Sequence, residues 1–276
     1  MNNLKKFFKS SPKYSIKWNN YFEIYEKLLK RFKNKKITLV EVGIGNGGSL
    51  FMWRNYFGKK AKIIGVELNP KAKELEKNGF KIFIGDQSTR SFWKSFYKKV
   101  GKIDILIDDG GHTNLQQITT LMESINYIKH DGIIVVEDTH TSFMKNKGFK
   151  NPSKFSFINF TSSIVETLHR RNPMIKKKLN SLSKLINSIE YFDSITVIKI
   201  AKKKLSKSKN LENNKKLRFF FDDFRFNKGN ANTKPQKTNY ILDLIQKKIS
   251  KRSYLYRIYE NNLIKKKACL IRGRPF

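Results

Sequence analysis

Short apolar runs, several of them rich in β-branched residues, constrain the fold of this chain more than any other feature. Amphipathic patterns with helical spacing lie before and between them, so strand-like and helix-like segments alternate from about residue 20 to residue 200. This alternation predicts an α/β protein with a Rossmann-like, doubly wound, mostly parallel sheet. The predicted strands are Ile37–Val42, Lys62–Val66, Lys81–Ile84, Ile103–Ile107 and Ile133–Val136. The predicted helices are Tyr21–Phe32, Ser49–Tyr56, Pro70–Asn78, Ser91–Lys99 and Asn114–Ile128.

The segment after these elements predicts how the sheet ends. Lys154–Leu168 and Met174–Ser188 have helical patterns. They lead into Ser188–Ala201, which has the composition of two strands interrupted at Phe192–Ser194. We therefore expect an antiparallel hairpin at the edge of the sheet.

The composition changes after Ala201, which indicates a domain boundary. Residues 1–201 are predicted to form one domain, followed by a basic C-terminal extension. The low hydrophobicity and high charge that begin at Lys202 predict a basic, flexible linker over 202–239. Residues 240–276 are predicted to form a basic amphipathic helical tail. Such a tail could dock on its own core, on a second subunit in a homo-oligomer, or on an anionic membrane or glycolipid surface.

The formal charge of +36 raises the question of a nucleic-acid partner. Lysine supplies most of the basic residues, whereas bidentate recognition of phosphates and bases favours arginine, so nucleic acid is the less favoured partner.

No apolar run is long enough for a membrane span, and the N-terminus has no apolar signal region. Cys269 is the single cysteine, which excludes an intrachain disulfide. These features predict a cytoplasmic protein, with peripheral membrane contact through the tail left open.

Two of the predicted strands end in carboxylates that are followed by histidines. The run IDILIDDGGH brings Asp109 and His112, and the run IIVVEDTH brings Glu137 and Asp138. If the two strands are neighbours, these side chains meet at the carboxyl edge of the sheet, where open α/β folds bind ligands. Carboxylate oxygens and an imidazole suit a hard divalent cation and a general base. Adjacent strand residues point in opposite directions, so only one of Asp108 and Asp109 is expected to line the site from the strand.

A glycine-rich loop follows the first strand and precedes a helix. The string VEVGIGNGGS fits the dinucleotide-binding pattern G-x-G-x-x-G and equally the pattern E-x-G-x-G-x-G of S-adenosylmethionine-dependent methyltransferases. Acidic residues end the next two strands, and the first of them could accept hydrogen bonds from ribose hydroxyls in either cofactor. The acid after the third strand is expected near the adenine in the methyltransferase pattern alone. The predicted cofactor-binding residues are Glu41, Gly43, Gly45, Gly47, Glu67, Asp86 and Gln87.

With these motifs in order, the chain resembles class I methyltransferases, in particular metal-dependent sugar O-methyltransferases of the macrocin and mycinamicin type. The resemblance runs from about Tyr14 to Ile200 and includes EVGIGNGGSLFMWRNYF, IIGVELNP, GDQS, IDDGGH, VVEDTHTS and YFDSITVIKI. It implies that S-adenosylmethionine and Mg²⁺, or another hard divalent cation, are the cofactors. Related sequences often have serine where this chain has Gly111. The resemblance assigns the metal to Asp109, Glu137 and Asp138 and the general base to His112. Because it selects Asp109, Asp108 is interpreted as a structural hydrogen-bond acceptor that fixes the loop.

The activity predicted from this resemblance is O-methyl transfer to a hydroxyl of a saccharide or a glycosylated small molecule. Two alternatives stay open. The charge of the chain leaves RNA methylation or nucleic-acid binding as one of them. The other is an oxidoreductase, because proteins of the cephalosporin hydroxylase type are similar in sequence.

Overall fold

The computed structural model describes residues 3–145, 155–169, 182–201 and 211. Seven strands form one sheet, and six α-helices lie in the described part of the chain. The strands are β1 (Thr38–Val42), β2 (Lys62–Glu67), β3 (Lys81–Ile84), β4 (Ile103–Asp108), β5 (Ile128–Val136), β6 (Ile186–Phe192) and β7 (Ile195–Ile200). The α-helices are α1 (Asn3–Lys9), α2 (Tyr21–Leu29), α3 (Gly48–Phe57), α4 (Arg90–Val100), α5 (Asn114–Ser124) and α6 (Phe157–His169). Short 3₁₀ helices cover Lys30–Phe32, Pro70–Asn78, Ile125–Tyr127, Thr139–Phe143 and Leu182–Lys184.

The strand order is β3-β2-β1-β4-β5-β7-β6. The first five strands pair in parallel, whereas β7 runs antiparallel to both β5 and β6. The order reverses between β1 and β4, which is the position where doubly wound sheets bind their ligands. The predicted α/β class, the parallel sheet and the antiparallel edge hairpin are all confirmed.

Two apolar layers cover the two faces of the sheet, because successive residues of a buried strand point to opposite sides. On one face Leu39 of β1 and Ile105 of β4 pack with Trp53 of α3 and the tyrosines of α2. On the other face Val40 and Leu106 pack with Trp93 of α4. Most positions of the central strands are therefore apolar, which is typical of a parallel sheet covered on both sides.

Some predicted boundaries were wrong. The helix predicted over Asn114–Ile128 ends at Ser124, and β5 begins at Ile128 instead of Ile133. Ile128 pairs with Ile103 of the neighbouring strand β4. This pairing extends β5 to Ile128, although the polar residues after Ile128 are unfavourable in a buried strand. The end of the helix predicted over Met174–Ser188 was also wrong, because β6 begins at Ile186; residues 174–181 lie outside the described residues.

The chain divides into two compact units, Met1–Asn210 and Leu211–Phe276. Apart from Leu211, the predicted linker and helical tail lie outside the described residues, so both stay predictions. Among the described residues, no helix is long and apolar enough to cross a membrane.

Candidate active site

A pocket of about 340 Å³ opens at the carboxyl ends of β1, β2, β3 and β4. Its volume is within the usual range for small-molecule sites. Five of the residues predicted to bind a cofactor line it, namely Gly43, Gly45, Glu67, Asp86 and Gln87. The structure thus brings together the three strand ends that the sequence singled out.

Glu41 and Gly47 are not among the residues that line this pocket. Glu41 is fully buried, and its carboxylate accepts a hydrogen bond from the Ser49 hydroxyl at 2.6 Å. Gly47 has a left-handed φ of +86° and packs beneath Leu75. These two residues therefore shape the loop and the site behind it, and their predicted contact with a cofactor is not visible in the geometry of the pocket.

Gly43 sits where the loop after β1 meets the loop after β4. Its φ is +78°, and a Cβ atom at this position would lie 2.1 Å from the carbonyl oxygen of Asp109. A backbone hydrogen bond holds the two loops at this distance, since the Asp109 N–H donates to the Val42 carbonyl at 3.0 Å. Only glycine allows the two loops to pass this closely.

We expect Gly43→Ala to destabilise the fold by about 2–4 kcal/mol, which combines left-handed strain with a backbone clash. Gly79→Ala is the matched control, because Gly79 has φ +79° and nothing within 4 Å of the added Cβ. Urea unfolding of both variants measures the difference, and it isolates the clash from the strain. Equal losses of stability would show that the contact with Asp109 imposes no constraint.

Glu67 lines the pocket at the carboxyl end of β2. One carboxylate oxygen, Oε1, accepts from the N–H groups of Leu68 and Asn69 at 2.8 and 3.1 Å. The other, Oε2, accepts from the Gly45 N–H at 3.0 Å. The carboxylate is thus held rigidly against the glycine loop and still has lone pairs for a ligand hydroxyl on the pocket side.

Gln87 and Asp108 fix the loop that carries the catalytic candidates. The Gln87 amide donates to Asp108 at 2.9 Å and accepts from the Gly111 N–H at 3.0 Å. Asp108 is buried and also accepts from the Gly110 N–H at 3.3 Å, so its predicted structural role is confirmed. Burial raises the pKa of Asp108. Gln87 lines the pocket as predicted, but its amide already bonds the protein.

An outer cluster joins the ends of β4 and β5. The His112 Nε2 lies 3.4 Å from a carboxylate oxygen of Asp138 and 3.9 Å from one of Asp109. The three side chains are each about one-fifth exposed, so they can be reached from solvent. The sequence predicted that these residues would meet, and they do.

Both His112 and Asp138 have left-handed backbones, with φ values of +55° and +53°. This conformation is uncommon for residues other than glycine, and it persists only where the surroundings impose it. Here the Thr141 hydroxyl donates to the His112 carbonyl at 2.9 Å and to the Asp138 carbonyl at 2.8 Å. Thr141 therefore ties together the two residues whose side chains face each other.

An inner cluster lies behind the outer one and contains Glu41, Asp109 and Glu137. The Nζ of Lys17 sits among them, 2.8 Å from Asp109, 2.7 Å from Glu137 and 3.4 Å from Glu41. The Lys17 side chain is completely buried. Asp109 belongs to both clusters and also lines the pocket, so it connects the three parts of the site.

Two tyrosines of α2 support the carboxylates from below. The Tyr25 hydroxyl donates to Glu137, and the Tyr21 hydroxyl donates to Asp138. Burial and these acidic partners raise the pKa of both phenols, which keeps them neutral donors. Each acid after β5 is therefore oriented by its own tyrosine.

Burial and charge have opposite effects on the acids of the inner cluster. Burial raises the pKa of Glu41, and it raises that of Glu137 to about 8, although Lys17 opposes both effects. Burial alone would lower the pKa of Lys17, but the three acids outweigh it and hold the pKa well above its ordinary value. Lys17 is therefore an ammonium ion, and it lies among two fully buried acids, Glu41 and Glu137, and the partly exposed Asp109.

The predicted metal ligands fit a hard divalent cation in their chemistry. Asp109, Glu137 and Asp138 all present carboxylate oxygens, which Mg²⁺ prefers. They are divided between two overlapping clusters, with Glu137 on the inner side and Asp138 on the outer side of Asp109. Lys17, Tyr21 and Tyr25 did not emerge as site residues from the sequence, because their helical or N-terminal context gives no local sign of contact with distant acids.

The sheet order, the glycine loop and the acidic strand ends define the class I methyltransferase fold. A crystal structure of the methyltransferase MycE from the mycinamycin biosynthetic pathway, in complex with Mg and SAH, has this fold. It superimposes with a TM-score of 0.62 at 20% identity, covering 72% of this chain and 53% of that one. A second MycE structure, with Mg, SAH and mycinamycin VI, gives a TM-score of 0.63.

Curated proteins with similar sequences are named as O-methyltransferases. The 8-demethyl-8-alpha-L-rhamnosyl tetracenomycin-C 2'-O-methyltransferase of Streptomyces olivaceus is 30% identical over 56% of this chain and 43% of its own length. Demethylmacrocin O-methyltransferase of Streptomyces fradiae is 26% identical over 58% and 42%. Mycinamicin VI 2''-O-methyltransferase of Micromonospora griseorubida is 27% identical over 45% and 32%.

These matches confirm the predicted resemblance to sugar O-methyltransferases. The chain spans less than half the length of the curated relatives that it matches. No family model matches the chain.

Proposed function

We propose that this chain is an S-adenosylmethionine-dependent, Mg²⁺-dependent O-methyltransferase that acts on a hydroxyl of a saccharide or a glycosylated small molecule. The observation that carries this proposal is the position of Asp109. It forms a wall of the pocket at the glycine loop and faces His112 on its other side. A methyl donor and an acceptor hydroxyl bound on the two sides of Asp109 would be neighbours.

In this arrangement the chain supplies a general base and carboxylates that can hold a metal ion, and its loops fix the orientation of these groups. The imidazole of His112 removes the proton of the acceptor hydroxyl, and the oxygen takes the methyl group from the sulfonium sulfur, which leaves as a neutral thioether. S-adenosylmethionine supplies an electrophilic methyl group, and a Mg²⁺ ion held by Asp109, Glu137 and Asp138 would favour the ionised form of the hydroxyl. The fixed loop positions of Asp109 and His112 contribute by proximity, which can account for roughly 7–11 kcal/mol of such a barrier.

The surface beside the outer cluster suits a sugar acceptor. Trp18 is 60% exposed, and its ring meets that of His140 edge-on at 6.3 Å. The His140 Nδ1 lies 4.0 Å from Asp138, so this aromatic pair adjoins the candidate base. Phe143, on the same short helix as His140, is 63% exposed. Aromatic faces combined with a few oriented polar groups are typical of small-molecule sites.

Calorimetric titration of the purified chain with S-adenosylmethionine and with NAD⁺, each with and without Mg²⁺, tests the cofactor. We expect micromolar binding of S-adenosylmethionine alone. Binding of NAD⁺ instead, or of neither, would contradict the proposal. Methyl transfer to a panel of glycosides and to RNA then tests the acceptor class, and transfer restricted to RNA would reject a saccharide.

We expect Glu67→Gln to weaken S-adenosylmethionine binding by roughly 10- to 100-fold, because a hydrogen bond to a charged acceptor contributes about 1.5–3 kcal/mol. The side chain keeps its size, and the amide oxygen can keep the bonds from the N–H groups of Leu68 and Asn69, whereas the Gly45 N–H loses its acceptor. Calorimetry of the variant gives the change in affinity, with Glu23→Gln on the exposed surface of α2 as the control. Unchanged affinity in Glu67→Gln would place the ribose elsewhere.

A further inference from the structure

The ammonium group of Lys17 lies where the candidate metal ligands converge. Its Nζ is within 2.8 Å of carboxylate oxygens of both Asp109 and Glu137. Mg²⁺ binds carboxylate oxygens at about 2.0–2.1 Å. A metal ion and an ammonium nitrogen on the same two oxygens would be like charges only a few ångströms apart. The two cations therefore exclude each other from this position.

The chain delivers Lys17 through a segment that is packed tightly against the glycine loop. Residues 11–18 cross the N-terminus of α3, where a Cβ atom on Gly48 would lie 2.4 Å from the Lys13 carbonyl oxygen. The Ser11 hydroxyl donates to the Gly48 carbonyl at 2.8 Å. Along this segment Tyr14, Ile16 and Trp18 are exposed, so Lys17 is on the side that faces the protein.

A buried lysine surrounded by three acids is an electrostatic substitute for a metal. Removing it without replacement would leave carboxylates buried and uncompensated, which is strongly unfavourable. A divalent ion carries twice the charge of the ammonium, so it attracts the same carboxylate oxygens more strongly. The four-carbon stem of lysine has enough flexibility to withdraw toward solvent when the ion enters.

We propose that Lys17 is an internal cation that occupies the site in the absence of metal and is displaced when Mg²⁺ binds Asp109 and Glu137. This inference rests on the metal site of the proposed function but not on methyl transfer itself. It predicts that Lys17 lowers the affinity for Mg²⁺ and keeps the metal-free site folded.

The first test compares Lys17→Met with the unmodified chain. Methionine keeps an unbranched stem and removes the charge. We expect Mg²⁺ to bind the variant at least about tenfold more tightly in calorimetry, because it no longer displaces a buried ion pair. Without metal, the Tm of the variant should fall by about 10 °C, and saturating Mg²⁺ should restore most of that loss. Lys13→Met, on the same segment but exposed, should change neither quantity.

The second test needs no variant and stands even if Lys17→Met does not fold. The unmodified chain is acetylated with an amine-reactive ester, with and without Mg²⁺, and the modified lysines are quantified by mass spectrometry. Lys17 should be protected without metal and become reactive with it, whereas the exposed Lys13 should react equally in both states.

Two results would overturn the exchange. One is protection of Lys17 that persists at saturating Mg²⁺, and the other is equal Mg²⁺ affinity in a folded Lys17→Met variant. Titration with S-adenosylmethionine in the same preparations separates this outcome from failure of the proposed function. Metal-dependent exposure of Lys17 without binding of S-adenosylmethionine would support the exchange and reject the methyltransferase.

Discussion

Asp109→Asn should lower the rate of methyl transfer by at least about 10³-fold while leaving the fold intact. The carboxylate of Asp109 belongs to both acidic clusters and is within 3.9 Å of the candidate base. Stabilisation of developing charge by a metal accounts for several kcal/mol, and each 1.36 kcal/mol corresponds to a factor of ten in rate. Asparagine has the same shape and leaves the backbone bond from residue 109 to Val42 in place.

Initial rates over a range of Mg²⁺ concentrations measure this effect, and circular dichroism checks the fold. Asp131→Asn is the control, since Asp131 is exposed and its left-handed backbone tolerates asparagine. The control should keep the full rate. A normal rate for Asp109→Asn in the presence of a chelator would contradict a catalytic metal at this position.

The fold was predictable because its signals are local and mutually consistent. Runs such as Ile133–Val136 are apolar at every position, which is typical of a strand covered on both faces. The errors arose where a tertiary contact decides. Ile128 belongs to β5 because it pairs with Ile103, although Lys129, His130 and Asp131 separate it from the apolar run at Ile133.

The site was predictable to the extent that strand ends define it. Asp109 and Asp138 meet His112 because β4 and β5 are neighbours, and neighbouring parallel strands end at the same edge of the sheet. The sequence placed Glu41 at the cofactor through its glycine pattern. In the structure the Glu41 carboxylate lies behind the loop and faces Lys17. The spacing of glycines does not indicate the direction in which a neighbouring acidic side chain points.

Lys17 could not have been found from the sequence. It is separated by 92 residues from Asp109 and by 120 from Glu137, so no local spacing links it to either acid. It is also one of 58 basic residues, in a chain whose charge of +36 makes a solvated lysine the expectation at any position. Only the path of residues 11–18 across Gly48 reveals that this lysine is buried.

The role of His112 leads to the second large expected effect. We expect His112→Asn to reduce kcat by about 10²–10⁴-fold, the usual contribution of a positioned general base. Asparagine tolerates the left-handed backbone that the structure imposes at residue 112, so the loop should keep its shape. The pocket wall at Asp109 and Gly110 is unchanged, and S-adenosylmethionine should bind with the affinity of the unmodified chain.

Steady-state rates and calorimetry on the same preparation separate catalysis from binding in this variant. His130→Asn is the matched control, because His130 is an exposed histidine at the start of β5 and away from the pocket. Loss of S-adenosylmethionine affinity together with rate in His112→Asn would indicate a structural role for the loop. Retention of the full rate would move the base to another group beside Asp138, and His140, 4.0 Å from that carboxylate, would be the next residue to replace.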